Sequence, residues 1–213
     1  MIATLIGGTG LTGSFLLRRL LADSDITTAI SISRKPSNLS NPKLTEILVS
    51  DLAELPSIAP RIRGGFYFCC LGTTIKKAGS KESFENVDHD AVIAFAQIAK
   101  AHDAHSFTLI SAMGANENSL FFYNQVKGRT ENQVKALGLR SLIIFRPALL
   151  AGPRREFRLG ERIATTLLVP LARLFPTSIQ KMIITETDVL AARMLAEGKT
   201  ASSGIHILRA KTI

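Results

Sequence analysis

Residues 2–21 read IATLIGGTGLTGSFLLRRLL, and the order of residue types in this stretch decides the fold. Residues 2–6 are mostly apolar and predict a short buried strand. Gly7, Gly8, Thr9 and Gly10 follow, too glycine-rich for strand or helix, and make a turn. A helix opens at once: Leu11, Phe15, Leu16, Leu20 and Leu21 recur at three-to-five-residue spacing, while Arg18 and Arg19 point elsewhere. Strand, glycine turn and helix in that order build a phosphate cradle, because backbone N–H groups and the positive helix end converge on one point. Gly7 allows the tight turn, Gly10 lets a pyrophosphate approach the backbone, and Gly13 lets the helix pack closely on its strand. Thr9, Leu11 and Thr12 share that turn and join the glycines as candidate cofactor contacts. A glycine-rich turn without a ligand is the alternative, and its placement between strand and helix favours binding.

A chain of 213 residues suits one α/β domain and is short for two. With 46% hydrophobic and 20% charged residues, no low-complexity tract and no repeat, the composition is that of a soluble globular protein. No apolar run is long enough to span a bilayer. The first strand starts at Met1 or Ile2, leaving no room for a signal peptide, so the expected compartment is the cytoplasm. Cys69 and Cys70 are neighbours in an apolar run and point to opposite faces of a strand, which predicts two buried thiols and no structural disulfide. Four scattered histidines give no metal-ligand spacing. The net charge of +9 suggests anionic partners, and nucleotide phosphates, nucleic acid and acidic membrane surfaces all qualify. Nucleic acid is the weakest of these, since the basic residues lack interleaved aromatics and no binding module is visible.

Residues 26–33 (ITTAISIS) alternate and are β-branched, a second strand ending in Ser33, Arg34 and Lys35. In a dinucleotide fold this strand end meets the adenosine ribose, where an acid binds a free 2′-hydroxyl and an arginine accommodates a 2′-phosphate. Cations stand here and no acid, which favours NADP(H), with Arg34 the stronger contact and Lys35 the weaker. Residues 44–49 (LTEILV) form a third strand, and Asp51, with Leu52 beside it, follows on a turn where an adenine amino group is met. Residues 66–71 (FYFCCL) are almost continuously apolar, as a central parallel strand covered on both faces requires. Its end places Leu71, Gly72, Thr73 and Thr74 at the carboxyl edge, where open α/β sheets bind ligands.

A basic loop over residues 75–81 leads into a long helix over 82–101, with Phe84, Val87, Ala91, Val92, Phe95 and Ile98 on one stripe. Asp88, His89 and Asp90 sit mid-helix and read as solvent-facing polar residues rather than a metal or catalytic group. Residues 106–110 (SFTLI) form a fifth strand with Ser111 at its end. An amphipathic helix over 121–137 then carries Tyr123 and Lys127 four apart, hence on one face. A phenol ionises near pH 10, and a lysine ammonium a few ångströms away in a partly dry cleft lowers that value. Such a tyrosine exchanges a proton with a carbonyl or alcohol oxygen, and Ser111 is placed to hold the same oxygen.

Residues 141–145 (SLIIF) form a sixth strand, followed by Arg146, Pro147 and Ala148. Pro147 lacks an N–H and stiffens the turn, a wall for a nicotinamide ring, and Leu149 is grouped with it. Residues 154–182 interleave Arg154, Arg155, Arg158, Arg162, Arg173 and Lys181 with apolar positions, interrupted by Pro170 and Pro176. This stretch reads as a substrate lid, a membrane-surface helix, a protein-partner site, or a packed helix with a solvated basic face. A helix over 187–197, capped by Thr187, and a short strand over 204–208 close the chain.

GGTGLTG at 7–13, ISR at 32–34, CCLGTT at 69–74, the Val87-Asp88 pair, Ser111, YNQVKG at 123–128 and FRPALL at 145–150 together resemble the atypical short-chain dehydrogenase/reductase superfamily. The nearer likeness is to its small NADPH-binding members related to the human Tat-interactive protein, and it covers the chain to about Gly152. The resemblance implies a single-domain Rossmann-type fold over 1–213, a doubly wound parallel sheet flanked by helices. Residues from about 153 onward make a small lid or partner region integrated with it. It implies NADP(H) as cofactor, Tyr123 as acid/base, Lys127 on the nicotinamide ribose and Ser111 as oxyanion partner. Members with a catalytic tetrad carry an asparagine where Asp88 aligns, and extended members carry a large C-terminal substrate domain, whereas about sixty residues follow Pro147 here, so a small or open substrate pocket is expected. The expected activity is that of an NADPH-dependent carbonyl reductase or alcohol dehydrogenase acting on a small-molecule carbonyl or alcohol. The alternative is an NADPH-binding regulatory or scaffold protein that contacts a partner through its basic C-terminal region.

Overall fold

The computed structural model describes residues 1–151, 184–200 and 202–213. The chain begins β1 (Ile2–Ile6), α1 (Leu11–Ala22), β2 (Thr28–Ser33), β3 (Leu44–Leu48), the short α2 (Leu55–Ile58) and β4 (Phe66–Cys69). It continues with α3 (Ile75–Ala78), α4 (Lys81–Glu85), α5 (Ala91–Ala101), β5 (Ser106–Ile110), α6 (Phe122–Ala136) and β6 (Ser141–Arg146). The small strands β7 (Leu149–Ala151) and β8 (Ile184–Glu186) pair in parallel, and α7 (Thr187–Thr200) precedes β9 (Gly204–Arg209).

Seven strands form one parallel sheet in the order β3-β2-β1-β4-β5-β6-β9. Parallel neighbours need crossovers, which lay helices on both faces and bury both sides of the central strands. All five residues of β5 are buried accordingly. One face carries Tyr67, Cys69, Phe107 and Ile144 against α5, with Phe95 among them. The other carries Leu5, Phe68 and Ile143 against Leu16 and Leu20 of α1 and Met194 of α7. The alternation separates the two thiols as read from the sequence: Cys69 belongs to the first core and Cys70, half-buried, packs against the second, and both are free. Burial pushes the Cys69 thiol up to about 12, so it stays protonated and inert.

The C-terminal helix α7 is part of the same core. Arg19 of α1 pairs with Asp188 at 2.8 Å, and Lys199 meets Asp23 at 2.9 Å and Asp25 at 2.6 Å. At its far end Ser106 Oγ donates to the Gly198 carbonyl at 2.6 Å, and a Cβ at Gly198 would lie 2.6 Å from the Phe68 ring. Thr187, expected as the N-cap, gives its hydroxyl proton to the Ala151 carbonyl at 3.1 Å.

The strand order reverses between β1 and β4, and the turns leaving their carboxyl ends touch: a Cβ at Gly7 would lie 2.7 Å from the Cys70 carbonyl oxygen. This is the switch point at which doubly wound sheets hold ligands. Two expectations are corrected here. Residues 75–78, read as loop, form α3, capped by Thr74 and ended by Gly79 at φ +89. The helix over 82–101 is not uniform, because Asn86–Asp90 is a π-helical turn between α4 and α5. An extra residue in a turn rotates the preceding positions by about 100° relative to those that follow. Asp88, read as solvent-facing, is fully buried, on the same helix face as Phe84, Ala91, Val92 and Phe95.

Candidate cofactor and active site

The turn after β1 is shaped for close approach. Gly7 sits at φ +83, a conformation side chains disfavour. A Cβ at Gly13 would lie 2.1 Å from the Gly7 carbonyl oxygen, so α1 presses on the turn only because residue 13 has no side chain. Gly10 is the N-cap and supplies no side-chain acceptor, no acid stands in the first turn of α1, and Ser14 is the first residue whose N–H returns to Gly10. The N–H groups of Leu11, Thr12 and Gly13 are thereby left for an outside acceptor. Thr12 is 4% exposed, yet its hydroxyl has no hydrogen-bond partner. Thr9 is exposed at the mouth of the turn and Leu11 half-buried beside it. An uncapped helix end, a cradle that added Cβ atoms would fill and an orphaned buried hydroxyl fit the pyrophosphate of a dinucleotide.

The neighbouring strand ends supply the rest of the rim. Arg34 and Lys35 are exposed after β2. Asp51 caps the turn after β3, accepting from the Ala53 N–H at 2.8 Å, while Glu54 accepts from the Asp51 N–H at 2.9 Å, and Leu52 is buried in the core. After β4, Leu71 is buried, Gly72 exposed, and the Thr73 N–H donates to Asp88 Oδ2 at 2.8 Å. Pro147 is buried after β6 and its carbonyl accepts from the Met113 N–H at 3.0 Å; Leu149 is half-buried in β7.

Tyr123 stands in the first turn of α6, 38% exposed, its ring 5.8 Å from that of buried Phe84. One turn on, the Lys127 side chain is buried with its ammonium 2.8 Å from Asp88 Oδ1. Burial alone pushes a lysine down, but the Asp88 carboxylate and then Tyr123 outweigh it and hold Lys127 well above the ordinary range. Asp88 is fixed from two further sides, by the Thr73 N–H and by Thr130 Oγ1, which donates to its carbonyl at 3.0 Å. The structure thus brings Tyr123, Lys127 and Asp88 together.

Ser111 is placed differently. Its Oγ donates to Glu131 Oε1 at 2.6 Å, and Arg146 grips the same carboxylate with Nε to Oε1 at 2.9 Å and Nη2 to Oε2 at 2.6 Å. Lys135 adds a contact at 3.4 Å. Burial raises the Glu131 carboxyl, but the Arg146 and Ser111 hydrogen bonds overcome it and hold it below the usual range. A serine hydroxyl has one proton, so Ser111 can serve a substrate oxygen only by releasing Glu131. Glu131 is two helical turns from Tyr123, about 12 Å along the axis. The loop between β5 and α6 crosses that helix at Gly128, where a Cβ would lie 2.2 Å from the Glu117 nitrogen. Beyond it, a cavity of about 430 Å³ is lined, among the described residues, by Met113, Gly114, Arg146, Arg209, Ala210 and Lys211.

Glu131 is the residue that sequence reasoning missed; Asp88 aligns with the tetrad asparagine but is expected to face solvent, whereas the structure pairs it with Lys127. A signal for Glu131 was present: Tyr123, Lys127, Glu131 and Lys135 are each four apart and share one helix face. The basic stretch 154–182 lies outside the described residues, and among those described no helix is long and apolar enough to cross a membrane.

The sequence model of a family described as NAD(P)H-binding matches residues 7–167. Protein fmp52, mitochondrial, of Emericella nidulans is 34% identical over 208 residues, spanning 94% of this chain and 88% of that protein. Protein HTATIP2 of Rattus norvegicus is 32% identical over 212 residues, spanning 98% of this chain and 86% of that protein. Among solved structures, MoeE5 in complex with UDP-glucose and NAD shares the fold at a TM-score of 0.74 and 16% identity, over 98% of this chain and 75% of that one.

Proposed function

Because the chain belongs to the NAD(P)H-binding family of the atypical short-chain dehydrogenases/reductases, we propose that it is an NADPH-dependent oxidoreductase acting on a CH–OH or C=O group of a small molecule. The observation that carries this reading is the buried Lys127 one turn beyond a half-exposed Tyr123, on a helix that starts at the same sheet edge as the uncapped end of α1. The bound cofactor supplies the hydride, which no side chain can.

The chain's residues divide the remaining work. Gly7, Thr9, Gly10, Leu11, Thr12 and Gly13 would hold the pyrophosphate, Arg34 and Lys35 the 2′-phosphate, and Asp51 and Leu52 the adenine. Leu71, Gly72, Thr73, Thr74, Pro147 and Leu149 would border the nicotinamide half, with Lys127 on its ribose. Tyr123 gives its phenolic proton to the substrate oxygen as negative charge builds there, and takes one back in the reverse direction. Lys127, kept charged by Asp88, stabilises the negative phenol oxygen that remains. Tyr123→Phe is the test. NADPH oxidation across a panel of aldehydes and ketones should fall at least about a hundredfold, with the NADPH Kd within about threefold of the parent. Equal loss of binding and turnover would remove Tyr123 from this role.

A second reading has an observation of its own: Ser111 and Lys127 are both already paired, with Glu131 and Asp88. A protein that senses NADPH and signals to a partner needs no group free for substrate. Tight NADPH binding with no oxidation by any carbonyl in the panel would favour it.

A further inference from the structure

The last residues of β6 and β9 are both arginines, and the sheet sets them side by side. Arg146 and Arg209 are partners in the parallel register, so their side chains leave the same face of neighbouring strands, about 4.8 Å apart at the backbone. Like charges so placed repel each other unless an acid stands by them. Arg146 has its acid, because Nε and Nη2 are spent on Glu131 at 2.9 and 2.6 Å. Arg209 has none. It is exposed, as is Lys211 in the short turn that follows β9, and neither meets an acid among the described residues.

These cations face open space. The cavity of about 430 Å³ is lined by Arg146, Arg209 and Lys211 together with Met113, Gly114 and Ala210, so its described lining carries three positive charges and no acid. That volume is in the range of small-molecule pockets. The cavity lies at the carboxyl ends of β6 and β9, the edge at which open α/β sheets hold ligands. Ile205 and Ile207 share a face of β9 with Arg209 and are 53% and 41% exposed, so apolar surface runs up to the cationic end.

We propose that this cavity binds a small organic molecule through an oxyanion, a carboxylate or a phosphate. Seated between Arg146 and Arg209, the oxyanion replaces a repulsion with two attractions. Each guanidinium offers a planar fork matched to such a group, and Lys211 adds a point charge. Glu131 answers only one of the three cations, so the cavity keeps a net positive field. Met113 and Ala210 give the organic part an apolar wall. The site is separate from the 2′-phosphate contacts expected at the end of β2. That strand stands five positions from β9 in the sheet, about 24 Å away. The assignment does not rest on Tyr123, because an oxyanion binds here whether or not the protein reduces a carbonyl.

Phenyl phosphate and benzoate are the probes, titrated calorimetrically into the full chain at low salt, with benzyl alcohol as the uncharged control. At least one of the two anions should bind with a Kd of about 1 mM or tighter, and the tighter of them identifies the head group. Arg209→Gln/Lys211→Gln should weaken that probe at least about tenfold, since a hydrogen bond between charged groups is lost at each position. Both side chains are exposed, so the variant should melt within about 2 °C of the parent. Failure of both anions to bind up to about 20 mM overturns the proposal. So does benzyl alcohol binding as tightly as the anions. A loss smaller than about tenfold in the folded double variant places the anion elsewhere, in the cradle after β1 for instance, and overturns it too. Absence of carbonyl turnover bears only on the catalytic reading, so the two can fail separately.

Discussion

Removing the charge of Glu131 should unsettle the carboxyl rim far more than a single atom exchange suggests. In Glu131→Gln the side chain keeps its shape, but one of the two oxygens that Arg146 grips becomes an NH₂ group facing a donor. A hydrogen bond to a charged group is worth about 1.5–3 kcal/mol, and one such bond is lost while the others weaken. Arg146 is left without its counter-charge, although its side chain is 22% exposed, so water recovers part of the loss. The net cost is about 2–3 kcal/mol. For a chain of this size each kcal/mol lowers Tm by roughly 2–4 °C, so melting should fall by about 4–12 °C at pH 7, read by circular dichroism. The pH dependence has a definite sign. The Glu131 carboxyl is held below its ordinary value, so its contribution is complete above about pH 4.3, the unfolded value, and is lost as pH falls through the folded value. The gap between parent and variant should therefore narrow below about pH 4.5. A Tm within about 1 °C of the parent at pH 7, or a gap that stays constant into acid, would refute the reasoning.

Ser111→Ala should cost a few degrees of Tm and less than about tenfold in turnover, because its proton is given to Glu131; a loss of 10²–10³-fold would mark it as an oxyanion donor. Gly13→Ala should weaken NADPH binding at least about tenfold and lower Tm, although alanine ordinarily favours a helix interior by up to about 1 kcal/mol. A higher Tm with unchanged Kd would contradict the 2.1 Å approach to the Gly7 carbonyl. Arg34→Ala should weaken NADPH about tenfold to a hundredfold in calorimetric titration and leave NADH unaffected, and equal affinities before and after would end the 2′-phosphate argument.

The doubly wound sheet could be read from the chain because its evidence is local. Strand, glycine turn and helix follow one another within residues 2–21, and the apolar run at 66–71 suits a strand covered on both faces. The alternation of Cys69 and Cys70 is equally local. Asp88 resisted reading because of its residue type: it shares a helix face with Phe84, Ala91, Val92 and Phe95, but a carboxylate is read as solvent-facing until its buried partner Lys127, from α6, is known. Ser111 resisted for another reason. Its partner Glu131 and the arginine that shares it come from α6 and β6, so only the folded sheet shows that the hydroxyl is engaged. Glu131 itself was visible as an acid on the face of Tyr123 and Lys127, but periodicity cannot say which arginine neutralises it.

The docking of α7 against α1 bears on how the protein comes to exist in a cell. The first βα unit leaves the ribosome well before α7, so Leu16 and Leu20 of α1 find Met194, and Arg19 finds Asp188, only once α7 has been made. At roughly 5–20 residues per second, translation separates those two helices by on the order of ten to thirty seconds. During that interval the glycine turn after β1 is chemically complete but mechanically unsupported, with an apolar helix face open to chaperones and proteases. Cofactor supplied to a stalled nascent chain that ends before residue 187 should therefore find no durable site, whereas the same turn in the finished protein is braced from behind.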